Sequence, residues 1–293
     1  MTKFIRFIGT IIVLLLLIAI ALDGIYTYVF THSLGRNKIE QVMNGQPQQF
    51  DVVILGTSRA NNHFVPELFE EKGYTAFNYG MSGSHLLETA LMLKLMLHKG
   101  WKIKNIVLEA DLNLTNEKRD EGTFAWFMPF LHQSDIINEH IKSEADYIPL
   151  YYVPFYRYNK FDARIGFRAW YKTLMNEPTS ILQNKGYYPL GVNPRAKMSN
   201  DIRSLKPLKN RYYEEIKKLC KAHQINLIAV TTPMCSDVKG MNYFQKVKQA
   251  YPEILPYEHV IDEDRYFSSC GHLNDAGARK FTSILLKTLP LKK

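Results

Sequence analysis

The chain has 293 residues, of which 46% are hydrophobic and 22% charged, and a formal net charge of +9. This composition can bury a full globular core and excludes wholesale disorder; the length suits one α/β domain with an insertion and a short leader. The basic excess is spread along the chain without a block of like charges, which argues against nucleic-acid binding and for a surface that tolerates anionic lipids or acidic glycans.

The first predicted element is a membrane helix. A mostly apolar run from Phe7 to Leu22 follows Lys3 and Arg6 and is interrupted only by Gly9 and Thr10. Basic residues ahead of such a run hold the N-terminus in the cytoplasm and send the downstream chain outward. Ile25, Tyr26, Tyr28, Val29 and Phe30 extend the run, with the tyrosines at the interface. Residues 1–30 read as a single-pass transmembrane anchor. A cleaved signal peptide is the alternative, because Ala19-Ile20-Ala21 has the small-x-small form of a cleavage site. Either way the bulk of the chain is exported, to a periplasmic or extracellular location. Residues 31–50 read as a polar linker or helix extension, and residues 51–293 as the exported domain.

Within that domain, short apolar runs alternate with helical patterns. Strands are predicted at Asp51 to Leu55, Ala76 to Tyr79, Asn105 to Leu112, Asn226 to Thr232 and His259 to Asp262. Helices are predicted at Pro66 to Glu71, from a Ser84 cap to about Leu97, and at Leu205 to Ala222, Tyr243 to Tyr251 and Asp275 to Leu289. Asn274 precedes the last as a cap. An aromatic-rich stretch at about 117–204 breaks the alternation and reads as an insertion packed over the sheet's end or against the bilayer surface. The pattern predicts an α/β fold: a three-layer, flavodoxin-like parallel sheet with helices on both faces. Ligands bind such sheets at the carboxyl ends of the strands. Ser58, Gly80, Asp111, Asn113, Cys235 and His272 all come after strands and so fall on that rim.

A serine hydroxyl becomes a nucleophile when a base takes its proton, and a histidine near neutrality is the natural base. Ser58 and His272 are the candidate pair. The developing oxyanion needs donors, for which Ser58, Gly80 and Asn113 occupy suitable positions. Arg59 is a candidate for an anionic substrate group, with a salt bridge as the alternative. Export permits a disulfide, and Cys235–Cys270 would pin the histidine loop if both segments share a rim; three half-buried thiols are the alternative. No metal-ligand pattern is present, since His132 and His140 with Asp135 and Glu139 read as a solvated helix face.

These blocks resemble the SGNH (GDSL-like) hydrolase superfamily. Gly56-Thr57-Ser58-Arg59 resembles its nucleophile block. Asn78-Tyr79-Gly80-Met81-Ser82-Gly83-Ser84 resembles the block whose glycine, here Gly80, gives an oxyanion N–H. His272-Leu273-Asn274-Asp275-Ala276-Gly277-Ala278 resembles the block with the catalytic histidine. The resemblance covers about residues 51–115 and 224–290. The leader and the Gly-Thr-Ser-Arg form resemble D-alanyl-lipoteichoic-acid transfer proteins and the partners of membrane-bound O-acyltransferases in polysaccharide acetylation. The resemblance implies a serine esterase or O-acyltransferase acting on acyl groups of an envelope or secreted glycan, without a cofactor. A catalytically weak or inactive SGNH-like partner of a membrane-bound O-acyltransferase is the alternative. Three positions depart from the family pattern. Thr57 stands where aspartate is common, and Asn113 stands in for the oxyanion asparagine of a Gly-x-Asn-Asp block. Ser269 stands where the family has the aspartate three residues before the histidine. Asp262, Glu263, Asp264 or a backbone carbonyl would then have to hold the ring.

Overall fold

The structure, a computed structural model, describes residues 1–33 and 35–293. They divide into two units, one of residues 1–45 and 124–178 and one of residues 46–123 and 179–293. Eight strands are described, all in the second unit: β1 Gln49–Leu55, β2 Ala76–Asn78, β3 Lys102–Glu109, β4 Ser199–Asp201, β5 Asn226–Val230, β6 Asp237–Lys239, β7 Phe267–Ser269 and β8 His272–Leu273.

The second unit is an α/β fold around a parallel sheet of order β2-β1-β3-β5. The strands are short and apolar because both faces are covered. Val52 and Ile54 of β1 join a core cluster with Phe64, Phe69, Phe281 and Leu285, from the helices and connections on one face. Val53 and Leu55 alternate to the other face and are equally buried. On the two sides, the helix Leu86–His98 packs against Arg211–Ala222, and Ser58–His63 packs against Asp275–Leu285.

Several predicted boundaries move for local reasons. His85, not Ser84, is the N-cap of Leu86–His98; its N–H donates to Glu88 Oε2 at 2.8 Å, while Ser84 Oγ donates to the carbonyls of Gly56 and Met81. The helix predicted from Leu205 starts at Arg211, because Pro207 disfavours helical geometry at Lys206 before it and Asn210 caps the N–H groups of Tyr212 and Tyr213. The fifth strand predicted at His259 to Asp262 does not form. Leu255 instead makes a single parallel bridge to Val230. Pro256 comes next, with no N–H to continue it, and Ile261 turns into the core. Two small ribbons were not anticipated, parallel β4–β6 and antiparallel β7–β8.

In the first unit the helix Thr2–Thr31 is long and apolar enough to cross a membrane. The linker region forms a helix at Lys38–Asn44, capped by Asn37. The aromatic-rich stretch divides: residues 124–178 belong with the long helix and 179–204 with the sheet. Near its C-terminal end, Tyr26 stacks on Trp170 at 5.3 Å and meets Phe155 edge-on at 5.0 Å. Arg157 is buried and pairs with Asp23 at 2.7 Å, and the Phe155 N–H donates to the same carboxylate. A buried guanidinium requires such a partner.

Candidate active site

The turn after β1 is built around Gly56. Its φ of 138° is one that side-chain-bearing residues rarely adopt, and a Cβ there would lie 2.9 Å from Glu109 Cβ. The chain then turns directly into the helix Ser58–His63. Thr57 is its cap, accepting from the Arg59 N–H at 3.2 Å. Thr57 is itself held from below, since its N–H and Oγ both donate to Glu109 Oε2 at 2.8 Å. Ser58 is the first helical residue, so its N–H lies outside the helical ladder. It sits at the carboxyl end of β1, whose neighbours β2 and β3 lie on opposite sides. Strand order reverses there, which opens a crevice.

His272 arrives on the β7–β8 hairpin, whose turn uses Gly271 at φ 92°. Three attachments fix this hairpin. The Leu273 N–H donates to His63 Nε2 at 3.1 Å, Asn274 caps the closing helix by accepting from the Gly277 N–H, and a Cys235–Cys270 disulfide joins the turn to the loop after β5. The result places His272 Nε2 2.8 Å from Ser58 Oγ. With its proton on Nδ1, the ring accepts the serine hydroxyl proton. Burial chiefly, then the Arg59 guanidinium, lower the His272 pKa below the ordinary value, with Asp111 acting in the opposite sense. The ring is therefore the free base at neutral pH. Beneath it His63 is fully buried, and burial pushes its pKa well down.

On the other ring nitrogen there is no carboxylate. Ser269 Oγ lies 3.5 Å from Nδ1, at the limit of a hydrogen bond. The candidate acids point elsewhere. Asp262 is exposed, Glu263 pairs with Lys280 and Arg265, and Asp264 accepts from Ser236 N–H and Oγ.

The other predicted site residues have mixed placements. Ser58, Arg59, Asn113 and His272 line one cavity of about 260 Å³ with Thr57, Gly83, His85 and Glu109 among its other walls. Asn113 is held by its Nδ2 donating to the Glu109 carbonyl and its Oδ1 accepting from the Asp111 N–H, both at 3.1 Å. Gly80 does not line that cavity; its N–H donates to Asn78 Oδ1 at 2.9 Å. A Cβ there would lie 2.6 Å from Ala60 Cβ and the Asn61 nitrogen, so Gly80 lets the β2 turn press against the helix Ser58–His63. Asn78 holds the same helix by donating to the carbonyls of Ala60 and Phe64. Arg59 is not presented to a ligand. Its guanidinium is buried, 3.0 Å from Asp111 Oδ2 and donating to the carbonyls of Thr232 and Pro233.

Glu109 and Asp111 were not singled out as a pair in the sequence, yet they form the floor of the site. Both are fully buried. Asp111 Oδ2 also accepts from Thr232 N–H and Oγ at 3.1 Å. Two carboxyls facing one guanidinium cannot both be ionised cheaply. Burial, then the charge of Asp111, push Glu109 well above the usual carboxyl range. The available signal was Glu109-Ala110-Asp111 at the end of an apolar strand, where alternate residues share a face. Among the described residues no group of His, Cys, Asp and Glu is placed to hold a metal ion.

No family model matches the chain, and no curated protein matches it. The chain is similar to a solved structure described as "a putative platelet activating factor from Streptococcus pneumonia", with 14% identity over 96% of this chain and 98% of that one. The TM-score is 0.28, too slight a likeness to carry fold or chemistry across.

Proposed function

We propose that the protein is a membrane-anchored, exported serine esterase or O-acyltransferase of SGNH type, acting on acyl groups of an envelope or secreted glycan. The observation that carries this reading is the 2.8 Å approach of Ser58 Oγ to a neutral His272 Nε2, at the mouth of a cavity on a parallel sheet's carboxyl rim. The long apolar helix at the N-terminus supports the anchor.

In this mechanism Ser58 Oγ attacks the acyl carbonyl carbon while His272 Nε2 takes the hydroxyl proton. The Ser58 N–H and Asn113 Nδ2 are the candidate donors for the oxyanion. Collapse of the tetrahedral intermediate expels the alcohol, which receives the proton from His272, and leaves an acyl-serine. Water or a second glycan hydroxyl then attacks that ester, gives its proton to His272, and releases Ser58 with the proton returned. Hydrolysis and transfer differ only in this last acceptor. A fluorophosphonate probe is expected to label the folded protein, and Ser58→Ala to abolish the labelling. Undiminished labelling of the variant, or none of the wild type, rejects the assignment.

One observation favours a second reading. With Ser269 rather than a carboxylate at Nδ1, the imidazolium gains little support, and loss of that carboxylate costs about 10⁴ in kcat in the triad template. A catalytically inactive partner of a membrane-bound O-acyltransferase fits that geometry. It predicts that Ser58→Ala leaves glycan acylation in cells intact.

A further inference from the structure

Beyond residue 31 there are eleven exposed large hydrophobic side chains among the described residues, and seven of them fall within residues 124–178. That stretch is under a fifth of the chain, so the concentration calls for a physical cause. Two short helices carry most of it. Tyr147–Tyr152 leads to exposed Tyr152 and Val153, and Phe167–Leu174 exposes Phe167, Tyr171 and Leu174 at helical spacing.

Their height along the long helix is fixed within the same unit. Residues 1–18 of that helix are exposed, and burial begins only beyond them. The apolar run from Phe7 to Leu22 would cover about 24 Å at 1.5 Å per residue, and Lys3 and Arg6 ahead of it can reach back to the far headgroups, so its near end falls at Leu22. Asp23 is the next residue, and it receives the Phe155 N–H and the Arg157 guanidinium. Tyr152 and Val153 immediately precede this attachment. Trp170 stacks on Tyr26, which brings Phe167–Leu174 beside the following turn. Phe167–Leu174 therefore meets the long helix, and the chain just after Tyr147–Tyr152 is tied to it, at the level where a bilayer surface would lie. Of the five Lys or Arg in residues 156–175, Arg157 is paired with Asp23, Lys160 with Asp146 and Lys172 with Glu177, which leaves Arg164 and Arg168 for a headgroup layer. Arg164, Arg168 and Lys172 recur every fourth position, and Arg164 and Arg168 are exposed. Aromatic and aliphatic groups beside basic ones are what an anionic headgroup layer takes up.

We propose that these two helices form a collar seated in the headgroup layer of an anionic membrane, around the exit of the anchor. The proposal rests on the anchor reading above. The collar would fix the exit angle of the long helix, which a lone span leaves to its surroundings.

The test uses the full chain reconstituted alone in nanodiscs of phosphatidylcholine, with and without phosphatidylglycerol. The discs contain a lipid with a diazirine near its headgroup, and adducts are mapped by peptide mass spectrometry. Adducts are expected in residues 2–22, 147–153 and 167–175. Omitting phosphatidylglycerol should lower the collar adducts by roughly fivefold, the effect of about 1 kcal/mol for one basic side chain near an anionic surface. R164E/R168E should lower them similarly in the anionic discs. Adducts in 2–22, with the collar labelled no more than the exposed segment around Leu208, would overturn the proposal and leave the anchor standing. Collar labelling independent of phosphatidylglycerol would overturn its anionic character. Absence of adducts from 2–22 as well would remove the anchor and the collar together.

Discussion

At the scale of single residues, the decisive contact is between Ser269 and the His272 ring. A hydroxyl 3.5 Å from Nδ1 orients the imidazole weakly and offers no charge to an imidazolium. Ser269→Asp places a carboxylate at that nitrogen. Fluorophosphonate labelling of Ser58 is expected to accelerate, by up to about 10⁴ if a full triad is completed. Because a nearby carboxylate raises a histidine pKa, the acid limb of the labelling-pH profile should also move upward. An unchanged rate and limb would show that the ring is held by other means. The floor of the site gives a second expectation. Glu109→Gln keeps the side chain's shape and removes its titration, and should leave folding and labelling near wild type. Asp111→Asn strands the buried Arg59 guanidinium and should cost about 3–5 kcal/mol, read by urea denaturation. Half of the Ser58–His272 meeting was legible from the strand pattern, because Ser58 follows the first strand of a parallel sheet; the strand expected to deliver His272 does not form, and the β7–β8 hairpin brings it to the rim instead. The floor was not, because burial decides whether Glu109 and Asp111 are surface charges or a coupled pair, and burial is a tertiary property.

Among the elements, the β7–β8 hairpin carries the most consequence for its size. Its two strands contain three and two residues, too few to hold themselves in water. The Cys235–Cys270 disulfide, the His63 bond to Leu273 and the Asn274 cap supply what the strands lack. Cys235→Ala/Cys270→Ala is expected to lower stability by about 2–4 kcal/mol. Labelling of Ser58 should fall further than the unfolded fraction explains, because the freed turn carries His272. Measuring labelling and circular dichroism on the same samples separates the two effects. The four sheet strands were readable as short apolar runs, three of them stopped by Gly56, Gly80 or Pro233. The hairpin was not, because Ser268, Ser269 and Gly271 carry no strand pattern and pairing there arises from the attachments. His259 to Asp262 misled for the converse reason: Val260 and Ile261 are apolar and β-branched, yet Pro256 had already ended the pairing. The helix Ser58–His63 passed unnoticed because its polar sequence has no apolar stripe, and its existence depends on the Gly56 turn and the Thr57 cap.

For the molecule as a whole, buried titratable groups set how stability responds to pH. His63 is fully buried and its folded pKa lies well below the ordinary histidine value. Above about pH 6.5 the ring is neutral in folded and unfolded chains alike, and its contribution is fully present. As pH falls below that value the unfolded chain takes up a proton that the folded chain refuses. Stability is then lost, with a slope of up to about 1.4 kcal/mol per pH unit for one proton, until the folded pKa is reached. His63→Gln keeps an acceptor for the Leu273 N–H and removes the titration. Its urea midpoint should decline less steeply on acidification than that of the wild type; parallel declines would show that His63 is not the group responsible. Glu109 acts in the opposite direction. Its contribution is complete below about pH 4.3, and it is lost as pH rises toward its elevated folded pKa. The α/β class and the parallel sheet were legible at this scale from the alternation of apolar runs and helical patterns. The division into two units was not, because the partner of Arg157 is Asp23, more than a hundred residues away, and no local pattern announces such a pairing.

The margin of the sheet at β2 has a bearing on solubility. A terminal strand ordinarily offers its backbone to any neighbouring chain and so invites aggregation. Here the segment 183–187 lies against it. Asn184 and Lys185 adopt left-handed conformations, and Gly186 approaches so closely that a Cβ would fall 2.1 Å from the Asn78 carbonyl oxygen. Tyr187 then anchors the segment in the core, with its hydroxyl on Asp275. Any side chain at position 186 would push this cover away, leaving β2 available as a template for intermolecular sheet growth.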